Sequence, residues 1–123
     1  MNHTESAIRA VALAYYEAMV SGDGPALRRL FDPSAHFHGL RDGAEVRRGL
    51  DAFVAMVEEP APDGPRSVSV DLVDHSGPVA TVRVTDLFRG RRYTDYLLLA
   101  DPGSGWKIVA KLFHAHAPES ADA

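Results

Sequence analysis

At 123 residues the chain has material for one hydrophobic core, and its 46% apolar and 24% charged residues suit a water-soluble globular domain. Thirteen basic against 17 acidic side chains leave a net charge of −4, which argues against a nucleic-acid partner. The chain has no cysteine, so disulfides, thiolate nucleophiles and cysteine-ligated metals are excluded. No apolar run reaches the length of a membrane span and no secretory pattern opens the sequence. The expectation is a cytoplasmic protein with neither membrane nor nucleic-acid partner.

The first half reads as helices. Ile8, Val11, Ala12, Tyr15 and Met19 fall on one face of a helix from Thr4 to Val20, with Thr4 as its cap and Ser21-Gly22 as its stop. A short second helix starts at Asp23 with Pro25 in its first turn, turns Leu27, Leu30 and Phe31 inward, and ends at Pro33. Ala35 to Gly39 reads as extended chain. Leu50, Phe53, Val54 and Val57 mark a third helix over Gly49 to Glu59, ended by Pro60, and Ala61 to Pro65 is a loop by composition.

The second half alternates with a period of two. Val68, Val70 and Leu72 share one face of a strand, as do Ala80, Val82 and Val84, and turn signals stand at Ser76-Gly77-Pro78, Gly90-Arg91 and Asp101 to Gly105. Helices followed by a four-stranded meander predict an α+β fold with helices on one sheet face. Residues 1–117 form the single expected domain, and 118–123 read as a loose tail.

A two-residue turn at Gly90-Arg91 pairs Asp86 with Asp95, Val84 with Leu97 and Phe88 with Tyr93. A three-residue loop at Pro102 to Ser104 then pairs Asp95 with Lys111, Leu97 with Val109 and Tyr93 with Phe113. These side chains share one face with Val82 and Leu99, because strand side chains alternate. Asp86, Asp95 and Lys111 therefore form a charged row on an otherwise apolar surface. Burying isolated charges costs several kcal/mol, on the order of the whole stability of a small domain. The row is either an ion pair at an open rim or the lining of a wet cavity. The opposite face, with Tyr96, Leu98, Trp106, Ile108, Ala110 and Leu112, is too apolar for open solvent, and a sheet-to-sheet homodimer is the expected cover.

Tyr15-Tyr16 with Ser21-Gly22-Asp23 and Leu30-Phe31-Asp32-Pro33-Ser34-Ala35 resembles the opening of nuclear-transport-factor-2-like (NTF2-like, SnoaL-like) proteins. Tyr93 to Leu99 and Gly105 to His114 resemble the bacterial group named "Putative lumazine-binding". The resemblance implies a curved, mainly antiparallel sheet wrapped around helices, a conical pocket and dimers, with small-molecule chemistry that needs no cofactor. In ketosteroid isomerase, a relative in that superfamily, a tyrosine and a protonated aspartate donate to an oxyanion beside an aspartate base. The resemblance carries that tyrosine to Tyr15 and the pocket aspartate to Asp95, but places Gly39 where the base would stand. Steroid isomerisation is disfavoured, and Asp86 is the replacement base to consider.

The expected site thus has Tyr15, Asp95, Lys111 and Asp86 as catalytic groups, with Tyr16, Phe37, Phe53, Phe88, Tyr93, Leu97 and Phe113 holding a small, partly aromatic ligand. Two facing carboxylates raise one pKa and keep a proton available near neutral pH. Isomerase, cyclase, dehydratase or hydrolase chemistry is the expectation. A non-catalytic binding protein, or a dimerisation module of the same fold, is the alternative. His36-Phe37-His38 and His114-Ala115-His116 could offer imidazoles to zinc, but the resemblance implies that Phe37 and Gly39 point inward, which sends His36 and His38 outward, and His114 is opposite in parity to Lys111 and Phe113, so no metal is expected. Arg47-Arg48 reads as a solvated basic pair at a helix start.

Overall fold

The computed structural model describes residues 2–118. Asn2, not Thr4, caps the first helix: its Oδ1 accepts from the Glu5 N–H at 2.7 Å, and α1 runs His3–Ser21. Gly22, at φ 69°, closes it in the left-handed conformation that glycine adopts without strain. Asp23 then caps α2 (Gly24–Leu30) by accepting from the Ala26 N–H at 3.0 Å, with Pro25 in the first turn.

Phe31 was expected on the inner face of that helix but is the first residue of a strand, β1 (Phe31–Arg41). A strand absent from the sequence reading, β2 (Ala44–Gly49), pairs back on β1. Its turn is Asp42-Gly43, both at positive φ (53° and 78°), the backbone of a type I′ hairpin. Helix α3 (Leu50–Glu58) follows, and then β3 (Ser67–Ser76), β4 (Val79–Phe88), β5 (Arg91–Ala100) and β6 (Lys107–Ala115). The expected four-stranded meander is therefore one part of a six-stranded sheet in the order β2-β1-β6-β5-β4-β3. Only the β1–β6 pair is parallel.

Irregularities bend this sheet around the helices. One interrupts the β3–β4 ladder between Val70 and Leu72, and another interrupts β5–β6 between Leu98 and Leu99. An extra residue in one strand kinks it and also reverses the parity beyond it. Leu72 was expected on the same face as Val70, but the bulge at Asp71 turns it outward to 48% exposure and sends Val73 towards the core. The bulge at Val109 puts Ile108 in the core, fully buried, against the expectation that Val109 would face in and Ile108 out. Trp106 is half-buried and packs against the core rather than standing on the outer face. The concave face carries Ile8, Ala12 and Tyr15 from α1 and Phe53, Val54 and Val57 from α3, packed on Val82, Val84, Leu97 and Leu99.

Both turns that set the predicted register differ. The β4–β5 turn is Arg89-Gly90 (φ 52° and 79°), so Phe88 pairs with Arg91, Asp86 with Tyr93 and Val84 with Asp95. On the other side Asp95 pairs with Phe113, and Leu97 with Lys111. Each shift is by two residues, which preserves the face. Asp86, Asp95 and Lys111 form a diagonal on the helix-covered side instead of a straight row. On the outer face Tyr96, Leu98 and Leu112 are 41–56% exposed within the single chain. The expected loose tail lies, apart from exposed Pro118, outside the described residues.

Candidate functional site

Asp95 is the centre of the polar cluster. It lies on β5, buried, and accepts a hydrogen bond from the Tyr15 hydroxyl at 2.8 Å. The Lys111 ammonium lies 3.9 Å from the same carboxylate oxygen. Tyr15 reaches it from α1, which places its ring in the core and only its hydroxyl at the charged cluster. Burial, with the nearby Asp95 and Asp86 charges, raises the Tyr15 pKa well above its ordinary value, so the hydroxyl stays a donor.

Asp86 is wholly buried, and neither of its oxygens receives a hydrogen bond from a donor residue; Asp95 Oδ1 is in the same condition. The two carboxyls are within hydrogen-bonding reach of each other. Two carboxylates cannot accept from one another, so a hydrogen bond between them forms only when one carries a proton. Desolvation foremost, then the Asp95 charge and the hydrogen bond to Asp95, push the Asp86 pKa up to about 9, against smaller opposing effects of Lys111 and Arg92. Tyr15 and Lys111 both address Asp95, and Asp86 is the carboxyl that burial keeps protonated near neutral pH. The cluster brings two buried carboxyls and an ammonium to one wall of a cavity.

Lys111 projects from β6 among aromatic rings. Its Nζ lies 4.8 Å from the Phe53 ring centroid and 5.2 Å from those of Tyr15 and Phe113, distances at which ring faces stabilise a cation. Phe37 and Phe53 stack at 4.3 Å and continue this wall.

A cavity of about 220 Å³ opens beside the cluster and is lined by Asp86, Asp95, Lys111, Phe37, Phe53, Phe88, Tyr93 and Phe113 among others. For comparison, an engineered cavity of about 150 Å³ accommodates benzene, so one substituted ring suits this space. Tyr15 stands behind Asp95 rather than in the lining, and Leu97 lies beneath it in the core. Tyr16, expected to hold ligand, is instead a strut: its hydroxyl donates to the Leu87 carbonyl at 2.7 Å and accepts from the Ser67 N–H at 3.0 Å. Adjacent helix positions are about 100° apart, so only one of the two tyrosines can approach the cavity.

Gly39 shows why no base stands where the isomerase resemblance would put one. A Cβ there would come within 2.4 Å of the Phe113 ring, which covers the glycine. The histidine pairs are placed apart from the cavity. His38 meets Glu45 at 3.0 Å, His114 stacks on His116, and His116 bonds Thr94 at 2.8 Å. Among the described residues no three metal-ligating side chains converge.

Of the arginines at the mouth, the sequence singled out only Arg48, as half of a solvated pair at a helix start, whereas both Arg47 and Arg48 lie on β2 and Arg48 turns to the cavity. Arg41, Arg48, Arg89 and Arg91 all line the cavity. The unread Asp42-Gly43 hairpin signal would have revealed β2, and with it the inward position of Arg48 opposite Phe37.

A curved sheet folded over three helices, with a cavity at its open end, is the NTF2-like architecture. Residues 3–114 match the model of the family "Putative lumazine-binding", and the chain belongs to that family. An NTF2-like protein of unknown function from Silicibacter pomeroyi DSS-3 superposes with a TM-score of 0.86 at 30% identity, covering 94% of this chain and all of that one. A ketosteroid isomerase-like protein from Erwinia carotovora atroseptica SCRI1043 shares the fold, with a TM-score of 0.74 at 19% identity over 96% of this chain and all of its own. A curated relative, Aldolase FrzH from Cladobotryum sp., is 26% identical over 113 residues, 89% of this chain and 90% of its own.

Proposed function

We propose that the protein is a cofactor-independent enzyme that moves a proton on a small, partly aromatic carbonyl compound. The observation that carries this reading is the pair of buried carboxyls, Asp86 and Asp95, with the Lys111 ammonium 3.9 Å from Asp95, all lining one cavity. A pair of carboxyls whose surroundings separate their proton affinities supplies a base and an acid together. Asp95 takes a proton from the carbon next to the carbonyl, and the electron pair moves onto the carbonyl oxygen. Lys111 stabilises that oxygen as negative charge develops, and Tyr15 holds Asp95 in place. Return of the proton to a different carbon is an isomerisation, and attack of the enolate on a second carbonyl is an aldol addition. The names of the isomerase-like neighbour and the aldolase relative are in keeping with enolate chemistry.

The direct test is exchange of α-protons for deuterium in a panel of arylalkyl ketones and aldehydes, followed by NMR. Wild type is expected to accelerate exchange, and Asp95→Asn to lose about 10²–10⁴-fold of that rate while remaining folded. Binding of panel members without exchange in either protein would make this a ligand-binding protein. The outer face supports a sheet-to-sheet homodimer as the functional unit, since Tyr96, Leu98 and Leu112 are uncovered in the single chain.

A further inference from the structure

Lys111 and four arginines surround the cavity, against only Asp86 and Asp95 among its lining residues, in a chain whose net charge is −4. Two of those arginines are engaged elsewhere. Arg91 pairs with Asp42 at 2.6 and 3.1 Å and also donates to the His116 carbonyl. Arg89 closes the end of α3, donating to the carbonyls of Met56, Val57 and Glu59 at 2.8–3.1 Å. The other two form no ion pair among the described residues, although the Arg41 charge reaches the neighbouring Asp42. Arg41 donates only to the neutral Tyr93 hydroxyl, at 2.8 Å. Arg48 is half-buried and has neither an ion pair nor a hydrogen bond, although its neighbour Arg47, pointing the other way, pairs with Glu45 at 3.1 Å. Both free arginines stand on the concave face, Arg48 opposite Phe37 on one row and Arg41 two residues beyond Gly39.

We propose that Arg41 and Arg48 form an anion-binding mouth, so that the molecule entering the cavity carries a carboxylate or phosphate at the end away from Asp95. A guanidinium presents a planar fork that matches either oxyanion, and the partial burial of Arg48 strengthens its bond, while Arg41 stands exposed at the rim. The carbonyl end would then reach Lys111 and Asp95 while the aromatic part lies against Phe37 and Phe53. This inference deepens the proton-transfer reading, since it gives the same cavity its substrate class: an aryl compound with an acidic tail.

Calorimetric titration with 4-acetylbenzoate, 4-acetylphenyl phosphate and the neutral acetophenone separates the possibilities. At low salt the anions are expected to bind about tenfold or more tighter than the ketone, the size of one charge-assisted hydrogen bond. That advantage should shrink as salt rises. Arg48→Gln and Arg41→Gln should each remove about tenfold of anion affinity and leave the ketone unaffected, with thermal unfolding unchanged to show an intact fold. The tighter of the two anions names the group. Equal binding of anion and ketone, anion binding indifferent to both substitutions, or no anion binding up to about 10 mM would overturn the proposal. Arginine-dependent binding without deuterium exchange leaves the anion mouth standing and removes the enzyme. Deuterium exchange together with anion binding that ignores both substitutions does the reverse.

Discussion

The Tyr15 hydroxyl and Asp95 Oδ2 meet at 2.8 Å across 80 positions of sequence, joining the first helix to the fifth strand inside the core. This bond ties the site to the fold, because both partners are buried and Asp95 Oδ1 has no other donor residue. Tyr15→Phe keeps the ring and removes the donor from a buried acceptor. It is expected to cost about 1–3 kcal/mol in urea denaturation near neutral pH. The same variant should slow α-proton exchange, since Asp95 loses the contact that orients it. Stability equal to wild type would mean that the bond contributes nothing net.

Asp86 imposes a pH dependence whose sign follows from its burial. In the unfolded chain its carboxyl titrates near ~3.9, whereas in the fold it is raised to about 9. Between those values the native state holds a proton that the unfolded state has released. Stability should therefore fall as pH rises through this window, by up to about 1.4 kcal/mol per pH unit, and level off above it. Asp86→Asn retains an N–H donor for Asp95 and removes the titration. Denaturation curves at about pH 5 and about pH 8 should differ less for the variant than for wild type. Parallel behaviour of the two proteins would show that Asp86 is ionised in the fold.

Gly39 and Phe113 should be coupled. Gly39→Ala drives a methyl into the Phe113 ring, so a loss of about 1–3 kcal/mol is expected from overpacking. Adding Phe113→Ala should recover part of that loss, giving a non-additive double-mutant cycle. Additive effects in thermal unfolding would place the strain elsewhere.

Light scattering at micromolar concentration is expected to give the mass of two chains. Leu98→Glu with Leu112→Glu should yield a folded monomer, because each places a charge on the apolar outer face. A monomeric wild type would remove the dimer from the proposal.

What the sequence by itself determined was parity. Alternation along Val82-Val84-Asp86 and Tyr93-Asp95-Leu97 assigns their side chains to one face, and that assignment survives a mistaken turn if the register moves by two. Moving the β4–β5 turn from Gly90-Arg91 to Arg89-Gly90 changed Asp86's partner from Asp95 to Tyr93 and left both carboxyls inward. The inward stripe of Tyr15 on its helix and the shared face of Phe88, Tyr93 and Phe113 were legible for the same reason, since helical and strand periods are local properties. The bulges at Asp71 and Val109 were not legible, because a bulge is one residue of local geometry selected by how the sheet must curve over the helices. It reverses everything beyond it, as the exchange of Ile108 for Val109 shows. The burial that raises the Asp86 pKa, the ring cage around Lys111 and the unpaired Arg48 depend on distances between strands and on exclusion of water. Those are set by packing, so only the tertiary structure could decide them.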